Sequence, residues 1–368
     1  MRTRFITAAV VLSGVAFAAS GCSSSSVAES SAVTVTADLS SPLSTLTVLD
    51  DVKDYSGLVR AALPTSGIVA PDAAPVQSLP VTVQSHDLSG DVPVTVSSTD
   101  RVIAMDISGS IAATVAGLGL VESLVARDIS TTFDEASDLP VITSNAHTVN
   151  SEAILALRPD LVLTDGSIGP IDVVVQLRDA GIPVVFVDTE PSVDGVAELA
   201  RQTAAALGAP AAGDALGAKL SAEIDAKVAE IAEIVPSGER LRMMFLYLRG
   251  TSGVYYLFGQ ESGSDVLISA LGGVDVAAEI GLEGMRPMTD EAMVAANPDL
   301  ILVMTGGLES VGGVSGLLEA RPAVALTEAG KNQRFVEMDD GEILSFGPRT
   351  VTVLDALARA IYAPMSGS

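Results

Sequence analysis

His147 is one of only two histidines in 368 residues. It stands in "SNAHTVNSEAILALRPDLVLTDG", five positions before Glu152. Three readings are open for it: a ligand to some bound group, a helix-cap bystander, or a polar residue of a surface loop. A second pair with chemical potential lies in "LRMMFLYLRG". Strand alternation puts Tyr247 and Arg249 on one face, two residues apart, at the carboxyl end of the strand. Ligands of open α/β sheets sit at that edge. A phenolate is an anionic donor, and a guanidinium beside it favours the charged form. Singly, each has a plainer reading: Tyr247 as a half-buried core tyrosine and Arg249 as a surface charge. His86, beside a turn containing Gly90, reads as a solvent-facing loop residue.

The elements that must position these groups are legible from Asp100 onward. "RVIAMD", "PVIT", "DLVLTDG" and "PVVFVD" are short runs rich in Val, Ile and Leu, as expected of strands buried on both faces. Helical stretches alternate with them: "SIAATVAGLGLVESL", "SEAILALRP", "IDVVVQLRDAG" and "VDGVAELARQTAAALG". A second set runs from "LRMMFLYLRG" through "DLILVMTGG" and "RFVEMD" to "RTVTVLDALARAIY". The pattern predicts an α/β protein of two lobes, each a parallel-type sheet flanked by helices. Between them, Leu216, Leu220, Ile224, Ile231 and Val235 fall on one face of a single long amphipathic helix.

Ahead of the lobes, Arg2 and Arg4 precede an apolar run from Phe5 to Ala19, then small residues and Cys22. The run is too short to span a bilayer and has the layout of an export signal. Ala19-Ser20-Gly21-Cys22 resembles a bacterial lipoprotein signal, which makes Cys22 the expected lipidation site. No other cysteine exists, so no intramolecular disulfide is possible. A net charge of −26 excludes a nucleic-acid partner and a basic membrane-binding patch. The expected divisions are a signal at 1–21, a tether and N-terminal extension at 22–98, and a first lobe at 99–210. A linking helix at 211–236 and a second lobe at 237–364 follow. Within the extension, "LPVTVQSHDLSGDVPVTVSS" predicts a β-hairpin.

The lobes echo one another. "NSEAILALRPDLVLTDG" and "TDEAMVAANPDLILVMTGG" share a polar cap, a first-turn Glu, an apolar helix, Pro-Asp, a buried strand and a Gly. Glu152 and Glu291 hold matching places 139 residues apart. A first-turn acid is ordinarily a dipole-compensating residue worth about 0.3–1 kcal/mol, and that reading serves both.

These residues together resemble the substrate-binding lipoproteins of iron-complex and cobalamin ABC importers, the class III periplasmic binding proteins. Within them the chain is most similar to the actinobacterial haem-binding lipoproteins of the HmuT type. The strings that carry the likeness are "SNAHTVNSEAILAL", "FLYLRGTSGVYYLFG", "ALGGVDVAAEIGLEGMRP", "GLESVGGVSGLLE" and "DDGEILSFGPRT". The resemblance implies haem, ferric and carried as cargo, held between His147 of one lobe and Tyr247 of the other, with Arg249 supporting the tyrosine. Imidazole and phenolate are both axial donors to haem iron. Two protein ligands fill the iron's coordination, which suits carriage and opposes oxidation chemistry. Tyr255, Tyr256, Phe258, Met285 and Phe346 are candidates to line the porphyrin, and Arg286 and Arg349 to meet propionates. Glu152 and Glu291 match the positions that engage permease arginines.

The implied protein is a monomer anchored by lipid at the outer face of the cell membrane. It is fed by surface haem-binding proteins and serves an ABC permease. A zinc or manganese carrier needs more histidine and carboxylate ligands than one cleft histidine supplies. A ferric-siderophore carrier is the alternative within the fold. An enzyme such as a haem peroxidase is the alternative outside it, but no phosphate loop, metal-hydrolase helix or Ser/His/Asp set is visible.

Overall fold

In the computed structural model the described residues are 32–87, 89–144, 147–250 and 253–366. The signal segment and Cys22 lie outside them. The extension is part of the fold. Strands β1 (Val33–Thr36) and β2 (Leu58–Ala62) pair in parallel with each other. Strands β3 (Val81–Asp87) and β4 (Gly90–Val96) form the expected hairpin, with Asp87 opposite Gly90. Its Ser85 hydroxyl is fully buried, accepts from Phe186 N–H at 2.8 Å and ties the hairpin to the first lobe.

The first lobe is a four-stranded parallel sheet in the order β6-β5-β7-β8, from β5 (Val102–Met105), β6 (Leu124–Arg127), β7 (Leu161–Thr164) and β8 (Val184–Phe186). Every residue of β5, β7 and β8 is buried, as the unbroken apolar runs require. "PVIT" departs from expectation. Val141 makes one parallel bridge to Arg127 and Thr143 one antiparallel bridge to Val149. The chain folds back on itself there before a ladder can form, and the place of a fourth strand is taken by "LVAR".

The second lobe is built on β9 (Arg242–Arg249), β10 (Val254–Phe258), β11 (Val274–Asp275), β12 (Met285–Pro287), β13 (Leu300–Met304) and β14 (Phe335–Met338). The sheet order is β1-β2-β14-β13-β9-β10-β12, with β11 paired to the start of β9. It is mixed rather than parallel throughout: β10 and β12 run antiparallel, because a short connection returns β9 directly as a hairpin. The extension thus covers the β14 edge, β2 pairing with it in parallel.

One 25-residue helix, Pro210–Ile234, joins the lobes, with Leu216, Leu220, Ile224 and Ile231 buried along one face. Proline opens it at a position where the missing N–H is no loss. A buried charge network locks it to the last helix, Thr350–Tyr362. Lys227 Nζ lies 2.9 Å from Asp355 Oδ1, and Asp355 Oδ2 accepts from Arg359 Nε at 2.6 Å and from Asp38 N–H at 2.9 Å. Glu230 pairs with Lys227 as well. The extension, the linking helix and the last helix therefore meet at one point.

Candidate functional site

His147 stands on a tight turn. Thr143 and Val149 pair across it, Ser144 N–H donates to Thr148 O at 2.9 Å, and His147 N–H donates to Ser144 O at 2.9 Å. Closing so short a loop puts His147 at φ 55, in the left-handed region that histidine tolerates better than most residues. The turn is pinned from below by Val149 N–H donating to Gly169 O at 2.8 Å. The His147 Nδ1 atom is buried and makes no hydrogen bond among the described residues. Burial, followed by the charge of Arg249, pushes the imidazole pKa below its usual value, which keeps the ring neutral. A neutral ring with an uncommitted nitrogen is the form that donates to a metal.

That Arg249 acts on His147 is informative, because the two belong to different lobes. Tyr247 and Arg249 share a face of β9, as alternation requires, and the guanidinium lies 4.5 Å over the centre of the Tyr247 ring. Tyr247 stacks on Phe258 at 5.5 Å, and Phe258 on Phe245 at 5.1 Å, which gives a row of three rings. No hydrogen bond reaches the Tyr247 hydroxyl among the described residues. Met285 sits opposite Phe258 in the β10–β12 ladder, on the same face as Tyr247, and is 59% exposed. Phe346 is buried where the lobes meet, lining a small void with Ser108, Ser110 and Pro191.

Other expected liners are placed elsewhere. Tyr255 points to the opposite face of β10 and packs with the core on that side, beneath Arg321 at 3.9 Å. Odd and even positions of a strand face opposite ways, so Tyr255 and Tyr256 cannot both face Tyr247. Arg286 is paired with Leu257 and shares that far face. Arg349 is buried, donates to Gly341 O at 2.8 Å and pairs with Glu342 at 3.6 Å, so it does not reach the cleft as a free cation. His86 is a strand residue, not a loop residue. The hairpin register sets it opposite Asp91, with Nδ1 3.0 Å from the carboxylate.

The paired glutamates occupy equivalent frames. Helix Ser151–Leu157 is capped by Asn150, which accepts from Ala153 N–H at 3.0 Å; helix Asp290–Ala296 is capped by Thr289, which accepts from Ala292 N–H at 3.1 Å. Glu152 and Glu291 are the second residue of each and both are exposed. The helices end alike on left-handed Arg158 and Asn297. Asp160 then accepts from Arg101 N–H at 3.1 Å and Asp299 from Arg242 N–H at 3.0 Å. Those arginines close the helices, Arg101 Nε donating to Leu157 O at 3.0 Å and Arg242 Nη2 to Ala296 O at 2.9 Å. The duplication extends to individual hydrogen bonds.

Sequence reasoning missed Asp340 and the glycines beneath it. Asp340 Oδ2 lies 3.0 Å from Arg249 Nη2, while its Oδ1 accepts from Gly306 N–H at 2.8 Å. A Cβ on Gly306 would sit 3.1 Å from the Asp340 carboxylate, and one on Gly307 would sit 2.9 Å from Leu248 O and 3.2 Å from Arg249. The Gly-Gly pair after β13 was the only available signal. Among the described residues no group of three or more His, Cys, Asp or Glu side chains is set to hold a metal ion.

Two α/β lobes of this topology joined by one long helix are the plan of a binding protein of two halves. Residues 106–341 match the periplasmic binding protein family, and the chain belongs to it. It is a transport protein of the substrate-binding kind, not an enzyme. The crystal structure of the heme binding protein HmuT is 37% identical and superposes with a TM-score of 0.80, over 85% of this chain and 99% of that one. Further structures of that protein carry single alanines in place of a histidine, a tyrosine and an arginine, the last two being two positions apart. The periplasmic heme-binding protein RhuT from Roseiflexus sp. RS-1 is 35% identical with a TM-score of 0.64, over 73% of this chain and 99% of its own. Among curated relatives, the cobalamin-binding protein of Halobacterium salinarum is 28% identical over 294 residues, 79% of this chain and 76% of the relative.

Proposed function

We propose that the chain captures ferric haem between its lobes at the outer face of the cell membrane and delivers it to an ABC permease. The observation that supports this reading is the Arg249 guanidinium lying over the Tyr247 ring, together with a His147 imidazole whose pKa is lowered by burial and by the charge of Arg249. The residues suit the cargo. A neutral imidazole with an uncommitted nitrogen donates from one side. A phenolate backed by a guanidinium donates from the other and matches a ferric centre in charge. Met285, exposed beside Phe258, and Phe346, at the lobe junction, supply apolar contact to the macrocycle. The likeness to the heme binding protein HmuT, of which histidine, tyrosine and arginine variants have been crystallised, supports a site built from those three residue types.

Glu152 and Glu291 are the permease contacts in this reading, one on each lobe, each exposed at a helix start. Cys22 carries the lipid, and the protein works as a monomer supplied by upstream haem-binding surface proteins. No helix among the described residues is long and apolar enough to cross a membrane, and an anchor through Cys22 does not need one. A cargo whose iron is already saturated, such as a ferric siderophore, would not need either donor.

The test is an absorption titration of residues 23–368 with haem. The expected result is a six-coordinate ferric spectrum that is lost in both His147→Ala and Tyr247→Ala. An unchanged spectrum in both variants would overturn the site.

A further inference from the structure

The N-terminal extension changes lobes within a few residues. Strand β2 belongs to the second sheet and ends at Ala62 on its carboxyl edge, because it runs parallel to β14. Thr65 and Ser66 are already fastened to the first lobe, their hydroxyls donating to Asp134 Oδ2 at 2.9 Å and Oδ1 at 2.5 Å. Ile68 is buried, and its N–H donates to both oxygens of Glu135 at 3.2 Å. Gly67 permits this close approach, since a Cβ there would sit 3.1 Å from Glu135 Oε1. Asp134 and Glu135 stand in the loop that leaves the carboxyl end of β6. Only Leu63 and Pro64 separate the two attachments, and three Cα–Cα steps span at most about 11 Å. Proline stiffens the crossing by fixing its own φ. From there the extension stays on the first lobe: Gln77 Nε2 donates to Thr99 Oγ1 and to Leu207 O, both at 2.8 Å.

We infer that Leu63–Ile68 is a strap between the carboxyl edges of the two sheets that limits how far the lobes part when the cleft is empty. Lobes joined by a single connection rotate about any axis through it, and such motion is the ordinary expectation between packed units. Here there are two covalent crossings. The helix Pro210–Ile234 leads into the amino end of β9, whereas the strap leaves the carboxyl end of β2, so they reach the second sheet at opposite edges. Two fixed points leave only the axis through both. The strap is fastened beside an existing contact between the lobes, where a Cβ on Gly341 would come within 2.6 Å of Thr132 Oγ1. With no slack in Leu63–Pro64, wider opening at this side requires the bonds to Asp134 and Glu135 to break. The inference holds whatever the cargo.

The measurement is a distance between spin labels, read by pulsed electron paramagnetic resonance on the haem-free full chain carrying Cys22→Ser. The labels sit at Asp172→Cys and Ser315→Cys, both exposed, in the helices Ile171–Asp179 of the first lobe and Gly313–Ala320 of the second. Inserting Gly-Ser-Gly-Ser between Pro64 and Thr65 keeps both attachments and adds up to about 14 Å of reach. The insertion is expected to broaden the distribution and lengthen its mean by more than about 2 Å, the scale that separates rearrangement from preorganised packing. Gln77→Ala loosens the extension beyond the crossing and should leave the distribution as in the wild type. A distribution unchanged by the insertion overturns the inference, and so does an equal widening in Gln77→Ala, which would mark general loosening. Should the insertion variant not fold by circular dichroism, Asp134→Ala with Glu135→Ala, which frees Thr65, Ser66 and Ile68 together, is scored in its place by the same criterion. The absorption titration with haem is a separate readout, so the strap and the haem site fail independently.

Discussion

At the scale of single residues, the lobes hold unlike chemistry behind like frames. His147 is kept neutral by burial, and Tyr247 is overlaid by a cation. The first lobe also buries two acids at its carboxyl edge. Asp106 is raised to about 7 by burial and then by the charges of Asp165 and Asp128, and Asp128 to about 6, chiefly by burial. Asp106 nevertheless accepts from Ser110 N–H at 2.9 Å and Ile111 N–H at 3.0 Å, where it organises the start of helix Ser110–Gly117. The sign of the pH dependence follows. Between the ordinary carboxylate pKa and these raised values the folded chain binds more protons than the unfolded one, so stability from this pair falls as pH rises. Chemical denaturation of the haem-free protein should show a contribution that declines from about pH 4 to pH 7, by at most about 1.4 kcal/mol per pH unit for each proton. Asp106→Asn should flatten that decline while lowering stability overall. An unaltered slope would show that the pair is ionised throughout.

At the scale of elements, the repeated helix is the unit to test. Removing the caps, as Asn150→Ala or Thr289→Ala, should each cost about 0.5–2 kcal/mol in thermal or denaturant unfolding, because each leaves an N–H of the first turn unpaired. Glu152→Lys and Glu291→Lys should behave differently. Both side chains are exposed, so haem affinity should be unchanged while uptake through the cognate permease is impaired. Weakened haem binding instead would place them in the cleft. Much of this element was readable in advance, since cap, first-turn acid, Pro-Asp and buried strand follow one another locally. The register of Tyr247 and Arg249 was readable for the same reason, as a strand has a period of two. The hairpin β9–β10 fell outside that reach. Its consequence, that Tyr255 turns away from Tyr247, depends on which partner β10 chooses.

At the scale of the whole molecule, the extension and the linking helix act together. Strands β1 and β2 close the β14 edge, Leu43 and Val59 are buried, and Asp38 and Leu43 are held by the acids of the buried network. Deleting residues 32–62 should therefore expose a parallel edge and produce aggregation or non-cooperative unfolding rather than a merely shortened protein. Asp355→Ala should destabilise by about 3–5 kcal/mol, since it strands Arg359 in a buried site and leaves Lys227 with Glu230 alone. Because the long helix and this network tie the lobes, closure on haem should be modest. Small-angle scattering with and without haem should differ in radius of gyration by less than about 1 Å, the scale of preorganised binding.

Sequence alone determined the two-lobed α/β plan, the long helix, the repeated Glu-helix-strand element and the pairing of Tyr247 with Arg249 on one face. All of these rest on local periodicity or on contiguous strings. Tertiary structure alone decided that the extension joins the second sheet and that His147 lies within reach of the charge of Arg249. It also decided that Arg349 is spent in the interior and that Asp340 holds Arg249. Each of these depends on residues distant in the chain meeting in space, and strand partnering and lobe packing set such meetings without leaving a local trace.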